Sequence, residues 1–253
     1  MPPPSSSPSS SAPALPRHCF VTVGATTTFT ALLSAVQSAS FLLGLAQAGF
    51  THLTVQAGRD CEVFTTWAAG AVNPALLTVD CFDVKPSLAC DMALCREYPE
   101  AGLDGGKGEL ADAVPDARLN LGPRPHAHPL DRPRALGVVI SHAGTGSVLD
   151  ALAANVPLVV VPNTELLDNH QAELAQMVEA QEYGVAGTLT TLLADIERAQ
   201  ALLLATQNAA VDAAAAHGAP AASSAGGLWD IARDIVQPYS KADTRAAEAL
   251  QME

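Results

Sequence analysis

Short apolar runs alternate with amphipathic stretches along the chain, and glycine or proline marks most of the joins. Residues 18–23 are β-branched and aromatic and predict a strand that Gly24 turns; a helical pattern then runs over 29–48 until Gly49 stops it. Residues 52–56 and 76–82 predict the second and third strands, and Pro86 sits near the start of a helix reaching about Cys95. From residue 136 the alternation resumes with a strand at 136–140, a helix at 147–154, a strand at 158–161 and a helix at 169–181. An Ala-rich helix over 191–216 is closed by Gly218 and Pro220. Strand followed by helix, repeated, predicts an α/β fold: a doubly wound parallel sheet with helices on both faces, whose ligands bind beyond the carboxyl ends of the strands.

Three stretches stand outside that rhythm. Residues 1–17 are mostly Pro, Ser and Ala, and predict a flexible tail. Residues 97–133 hold many Gly, Pro and charged positions without apolar periodicity, and predict a long exposed insertion in an α/β domain spanning 18–222. In the C-terminal segment 223–253, Leu228, Ile231 and Ile235 share one face of a helix, with Trp229, Ala232 and Val236 beside them. Packing back on the core is the default use of such a face.

The chemistry concentrates after the strand at 136–140. Val138-Val-Ile-Ser-His-Ala-Gly-Thr-Gly-Ser147 places Gly144 and Gly146 between a buried strand and a helix. Missing Cβ atoms let an anion approach the backbone, and the free amides of the helix start point into the loop, so Thr145 and Ser147 belong to a candidate phosphate cradle. Ser147 suits both a helix cap and a phosphate donor. A nucleoside-triphosphate loop would need a lysine after its last glycine, where Ser147 and Val148 stand. A dinucleotide fingerprint would need a third glycine at Leu149, although Glu165 lies about where a ribose-binding acid would be. An NAD(P)-dependent oxidoreductase using Gly144, Gly146 and Glu165 therefore stays open as an alternative. The remaining class is the nucleotide-sugar site of a two-domain glycosyltransferase.

Ser141-His-Ala-Gly-x-Gly-Ser147, the acid Asp150, Pro157-Leu-x-Val-Val-Pro-Asn163 and Asp168-Asn-His-Gln171 resemble the donor-binding half of family 28 glycosyltransferases, a Rossmann-like unit of the GT-B fold. Phe20-Val-Thr-Val-Gly-Ala-Thr-Thr27 and Phe41-Leu-x-x-Leu-Ala-x-x-Gly-Phe-Thr-His-Leu-Thr-Val-Gln56 are similar to the opening of a two-subunit branch of that family. The resemblance covers roughly residues 19–92 and 136–187. It implies transfer of N-acetylglucosamine from its uridine diphosphate donor to dolichol-diphosphate-N-acetylglucosamine, with inversion, at the cytosolic face of the endoplasmic reticulum in protein N-glycosylation. It also implies a membrane-anchored subunit that binds the acceptor, because 253 residues leave no room for a second doubly wound unit. The last helix of related enzymes crosses to the other half, which makes Leu228, Ile231 and Ile235 a candidate partner surface.

The resemblance also assigns roles to particular residues. Gly24, Ala25 and Thr26 would lie against the donor diphosphate, the alternative being an ordinary strand-to-helix turn. His142 would contact the donor or serve as general base, against the plainer reading of a satisfied structural histidine. Asp150 stands where the family usually has glutamate to hold the ribose hydroxyls; one methylene shorter, it also fits an exposed acid near a helix N-terminus. Asn163, His170 and Gln171 would address sugar hydroxyls, while capping by Asp168 or Asn169 is the structural alternative.

Charge and composition narrow the partners. The formal charge of −13 disfavours nonspecific binding to nucleic acid or to an anionic membrane, so phosphate must be held locally by amides. Apolar residues make up 49% of the chain, enough for a sizeable core. Five cysteines without a CxxC pair argue against a disulfide framework or a structural zinc. No run approaches the roughly 18–20 apolar residues of a membrane span, and the first residues lack the pattern of a secretory signal; the expectation is a soluble cytoplasmic protein with no cofactor. His126-Ala-His128 between Pro125 and Pro129 has metal-compatible spacing but no evident third ligand. Arg124, Arg132 and Arg134 form a small basic cluster expected to be solvated.

Overall fold

The computed structural model describes residues 15–25, 27–70, 75–99, 130, 132–165 and 170–217. Six parallel strands form one sheet, β1 (His18–Thr22), β2 (His52–Gln56), β3 (Thr78–Phe82), β4 (Val138–Ser141), β5 (Leu158–Val160) and β6 (Val185–Ala186), in the order β3-β2-β1-β4-β5-β6. This is the doubly wound sheet expected from the alternation. The strand order reverses between β1 and β4, which lie side by side with Thr22 opposite Ser141, and the crevice at that reversal is where such sheets bind ligands.

The helices are α1 (Thr30–Gln37), α2 (Ala39–Gln47), α3 (Cys61–Gly70), α4 (Ala89–Ala93), α5 (Thr145–Ala154), α6 (His170–Ala180) and α7 (Leu192–His217). Alternate strand residues send their side chains to opposite faces, so the core divides in two. Cys19, Val21, Val138 and Ile140 join Leu32, Val36, Leu45 and Ile196 on one side. Phe20, Val139, Leu158 and Val160 join Met92, Val148, Leu174 and Val178 on the other. Burying two faces explains why β1, β4 and β5 are nearly continuous apolar runs.

The single helix expected over 29–48 is two helices bent by 59° at Ser38. Ser38 has extended dihedrals, its hydroxyl accepts from Phe41 N at 3.2 Å, and it thereby caps α2. Serine competes with the helix for backbone hydrogen bonds, and here the competition wins. Among the described residues no single helix is long and apolar enough to cross a membrane; the bent pair α1–α2 qualifies by length and composition, but its Leu32, Leu33, Val36, Phe41, Leu42 and Leu45 are buried in the core.

Two boundaries shift. Arg17, assigned to the tail by its neighbours, is an anchor: its guanidinium donates to the carbonyls of Leu136 and Ala48 and to Gln200 Oε1, and stacks 4.5 Å from the Phe50 ring centroid. Arg134, expected to be solvated, is 2% exposed. It donates to the carbonyls of Arg96, Leu130 and Arg132 and lies over Tyr98, while its backbone pairs with Tyr98 in an antiparallel bridge. The two ends of the insertion are thus joined at the base of the sheet. Arg132 is exposed as expected; Arg124, His126, His128 and the C-terminal face of Leu228, Ile231 and Ile235 lie outside the described residues.

Candidate functional site

Three neighbouring strands end on polar residues with little or no exposure, Thr22 on β1, Gln56 on β2 and Ser141 on β4. Thr22 Oγ1 donates to Gln56 Oε1 at 2.5 Å and accepts from Gly24 N at 3.3 Å, while Gln56 Nε2 donates to Gly24 O at 2.9 Å. Both backbone groups of Gly24 are therefore held by side chains of the sheet, and the first loop is fixed where β1 stops. Gly24 has φ +83°, and Gly58, at φ +53°, sits so close that a Cβ there would lie 2.9 Å from Gly24 O.

The second loop meets the first across β1 and β4. His142 N donates to Thr22 O at 3.1 Å, and its imidazole Nδ1 lies 3.3 Å from the same oxygen. A carbonyl only accepts, so Nδ1 carries the proton and Nε2 presents a lone pair. A Cβ on Gly24 or on Gly144 would each come within 2.5 Å of that Nε2. The ring is clasped between the two glycines. Burial pushes the His142 pKa down, opposed by the hydrogen bond to Thr22, so the imidazole is neutral at physiological pH. Its unprotonated Nε2 is an acceptor and a base; in this tautomer it has no proton to give a phosphate.

The strand-to-helix turn continues through Ala143, at φ +63°, to Gly144, which caps α5 without a side-chain hydrogen bond. The helix starts at Thr145, so Ser147 is its third residue and not its cap, a correction to the sequence reading. Val148 is the first amide to donate back, to Gly144 O at 3.0 Å; helix geometry leaves those of Thr145, Gly146 and Ser147 without an intrahelical carbonyl. Gly146 differs from Gly24 and Gly144: a Cβ there would meet nothing within 4 Å. A side chain at Gly146 would thus enter open space, and the helix dipole favours an anion at this N-terminus.

Asn163 joins the halves from the end of β5. It is 5% exposed, its Nδ2 donates to Thr28 O at 3.3 Å across to the first loop, and its Oδ1 accepts from Glu165 N at 3.1 Å. Its own amide donates to Gln171 Oε1 at 2.8 Å. Asn163 and Gln171 thus brace the loops beside the crevice. His170 is exposed and lies 3.8 Å from Glu173 through Nδ1. Asp150, on α5, is pushed up in pKa by desolvation. Ala25 is exposed at the rim, and Thr26, Asp168 and Asn169 lie outside the described residues. Thr22, Gln56 and Gly58 were missed by sequence reasoning; a polar residue closing each apolar strand was the available signal.

The comparisons with known proteins fit this geometry. Residues 131–225 match the glycosyltransferase family 28 C-terminal domain. The UDP-N-acetylglucosamine transferase subunit ALG13 of Eremothecium gossypii is 34% identical over 72% of this chain and 77% of its own length. Its counterpart of the same name in Saccharomyces cerevisiae is 32% identical over 72% of this chain and 83% of its own. The chain belongs to the ALG13 family. A solution structure of ALG13 is 25% identical and covers 74% of this chain and 87% of that one, with a TM-score of 0.47. For this ALG13-family chain the NAD(P) alternative finds no support: none of these relatives is named as an oxidoreductase, and Leu149 stands where the third glycine would be. Among the described residues no group of three or more His, Cys, Asp or Glu is placed to hold a metal.

Proposed function

We propose that this chain is the donor-binding, catalytic subunit of a UDP-N-acetylglucosamine transferase that acts on dolichol-diphosphate-N-acetylglucosamine. The observation that carries the proposal is the meeting of two glycine loops on one imidazole at the β1–β4 reversal, beside the open amides of α5. Family membership supplies the donor class, since the relatives bear the name of UDP-N-acetylglucosamine transferase subunits.

In this reading the donor diphosphate lies against Gly24, Ala25 and Thr26 on one side and Thr145, Gly146 and Ser147 on the other. Asp150 accepts from the ribose, and His170 and Gln171, braced by Asn163, face the sugar. The acceptor O4 attacks the anomeric carbon from the face opposite the leaving group, and the bond to the diphosphate breaks with its electron pair on uridine diphosphate. Inversion follows from that single displacement. The acceptor proton passes to His142 Nε2, which is unprotonated and faces the two loops. Growing charge on the diphosphate is stabilised by the α5 amides, so the reaction runs without a metal.

The lipid-linked acceptor is brought by a membrane-anchored partner subunit at the cytosolic face of the endoplasmic reticulum. Leu228, Ile231 and Ile235 are the proposed contact. The test is reconstitution: the chain with its membrane partner should transfer N-acetylglucosamine to dolichol-diphosphate-N-acetylglucosamine, and either alone should be nearly inactive. Transfer by the isolated chain, or binding of NAD in preference to uridine diphosphate N-acetylglucosamine, would refute the proposal.

A further inference from the structure

Beyond the donor crevice, two of the five cysteines are buried and three are half-buried. Cys19 and Cys95 are fully buried in the two halves of the core, and Cys90 is half-buried on α4. Cys61 and Cys81 are in contact: Cys61 opens α3, Cys81 lies on the edge strand β3, and their sulfurs are 3.6 Å apart. Both are half-buried. Cys81 Sγ also lies 3.9 Å from Cys61 O, and Cys61 Sγ is 3.8 Å from Thr65 Oγ1, so weak contacts on both elements hold the thiols against each other.

We infer that Cys61 and Cys81 are a reversible dithiol–disulfide site that ties α3 to the edge strand. Sulfurs already in contact need to approach by only about 1.5 Å to reach bonding distance, which side-chain rotation can provide. Nineteen residues separate them, including 71–74 outside the described part of the chain, so the sequence spacing gives no hint of the pair. Burial and the neighbouring Cys61 push the Cys81 thiol up to about 12, which makes Cys81 the slower nucleophile and assigns the first attack to Cys61.

With glutathione disulfide as oxidant, the Cys61 thiolate attacks one of its sulfurs, the glutathione S–S bond breaks, and one glutathione thiolate leaves. Cys81 then loses its proton to solvent and attacks Cys61 Sγ in the mixed disulfide, expelling the second glutathione. Two thiols are oxidised and one glutathione disulfide is reduced to two glutathiones. The site lies beside the donor loops, because the turn that leads into α3 packs Gly58 against Gly24 O and sets Asp60 Oδ2 3.3 Å from the Thr30 hydroxyl.

The experiment uses the full chain, incubated with glutathione disulfide, alkylated, and digested without reduction. Cys61 and Cys81 share the tryptic segment 60–96, which also holds Cys90 and Cys95 because trypsin does not cut between Lys85 and Pro86, so chymotrypsin, which cuts after Phe64, Trp67 and Phe82, is needed to part them. The expected product is a linked pair of peptides holding Cys61 and Cys81, lighter by about 2 Da than the two thiol peptides together and separated by dithiothreitol. Cys81→Ser should instead accumulate a glutathione adduct on Cys61. A linked species joining either residue to Cys19, Cys90 or Cys95, free thiols at 61 and 81 after oxidation, or no adduct in Cys81→Ser would each overturn the inference.

Discussion

The site contains three glycines that resist substitution for different reasons, and the difference can be measured. At Gly24 a side chain meets both a positive φ and the His142 ring, so Gly24→Ala should cost stability of about 1–3 kcal/mol together with activity. Gly144 has an extended φ, and Gly144→Ala should displace His142 with a smaller stability loss. Gly146→Val should fold like the parent, because its Cβ enters open space, yet donor affinity should fall; unchanged donor binding in that folded variant would remove phosphate from the α5 loop. As the proposed base, His142 should carry the acid limb of the rate profile. With its pKa pushed below the usual histidine value, kcat/KM should be flat around neutrality and decline only below about pH 6.5. His142→Gln should lower kcat by roughly 100- to 10,000-fold with donor affinity nearly unchanged. A variant that loses donor affinity but keeps kcat would make His142 a binding residue only.

At the scale of elements, α5 illustrates a conflict between stability and function. Asp150 is pushed up in pKa by desolvation, so the folded state holds its proton more tightly than the unfolded chain. Its contribution to stability is therefore lost as pH rises past the ordinary aspartate range, and Asp150→Asn should raise the melting temperature at neutral pH while weakening donor binding. A lower melting temperature would mean that the carboxylate has a partner in the folded state. Asp150→Glu should keep or improve donor affinity. Strands β1 to β5 and helix α5 were legible because each apolar run is bounded by glycine or proline and both faces of the sheet are covered, whereas β6, two residues long, is too short to carry a pattern. The bend at Ser38 was not, since apolar periodicity continues through it and only the serine hydroxyl breaks the helix. Helix α3 escaped for a related reason: it buries little beyond Phe64, so its sequence carries a weak stripe. That both glycine loops follow strands, and so lie toward the carboxyl ends of one sheet, was legible. The clasp on His142 was not, because it depends on which strands are neighbours.

For the whole molecule, acid sensitivity should come partly from the amino-terminal ends of β1 and β2. His18 stacks on His52 with ring centroids 4.3 Å apart, and desolvation, then the charges of His52 and Arg134, lower its pKa to about 4. The unfolded chain takes up this proton near pH 6.5 and the folded one only near 4, so stability should fall as pH drops through that window and level off below it. The melting temperature should drop less between pH 7 and 5 in His18→Gln than in the parent; equal drops would assign the sensitivity to other groups. The same sheet reverses its strand order between two loops that grip one imidazole, and the crevice there is the proposed seat of the nucleotide sugar. The most direct test is a titration of the full chain with uridine diphosphate N-acetylglucosamine followed by backbone amide chemical shifts. Donor seated in the crevice predicts the largest shifts at Gly24, Ala25 and residues 142–147, with NAD causing none; shifts centred elsewhere, or an equal response to NAD, would contradict it.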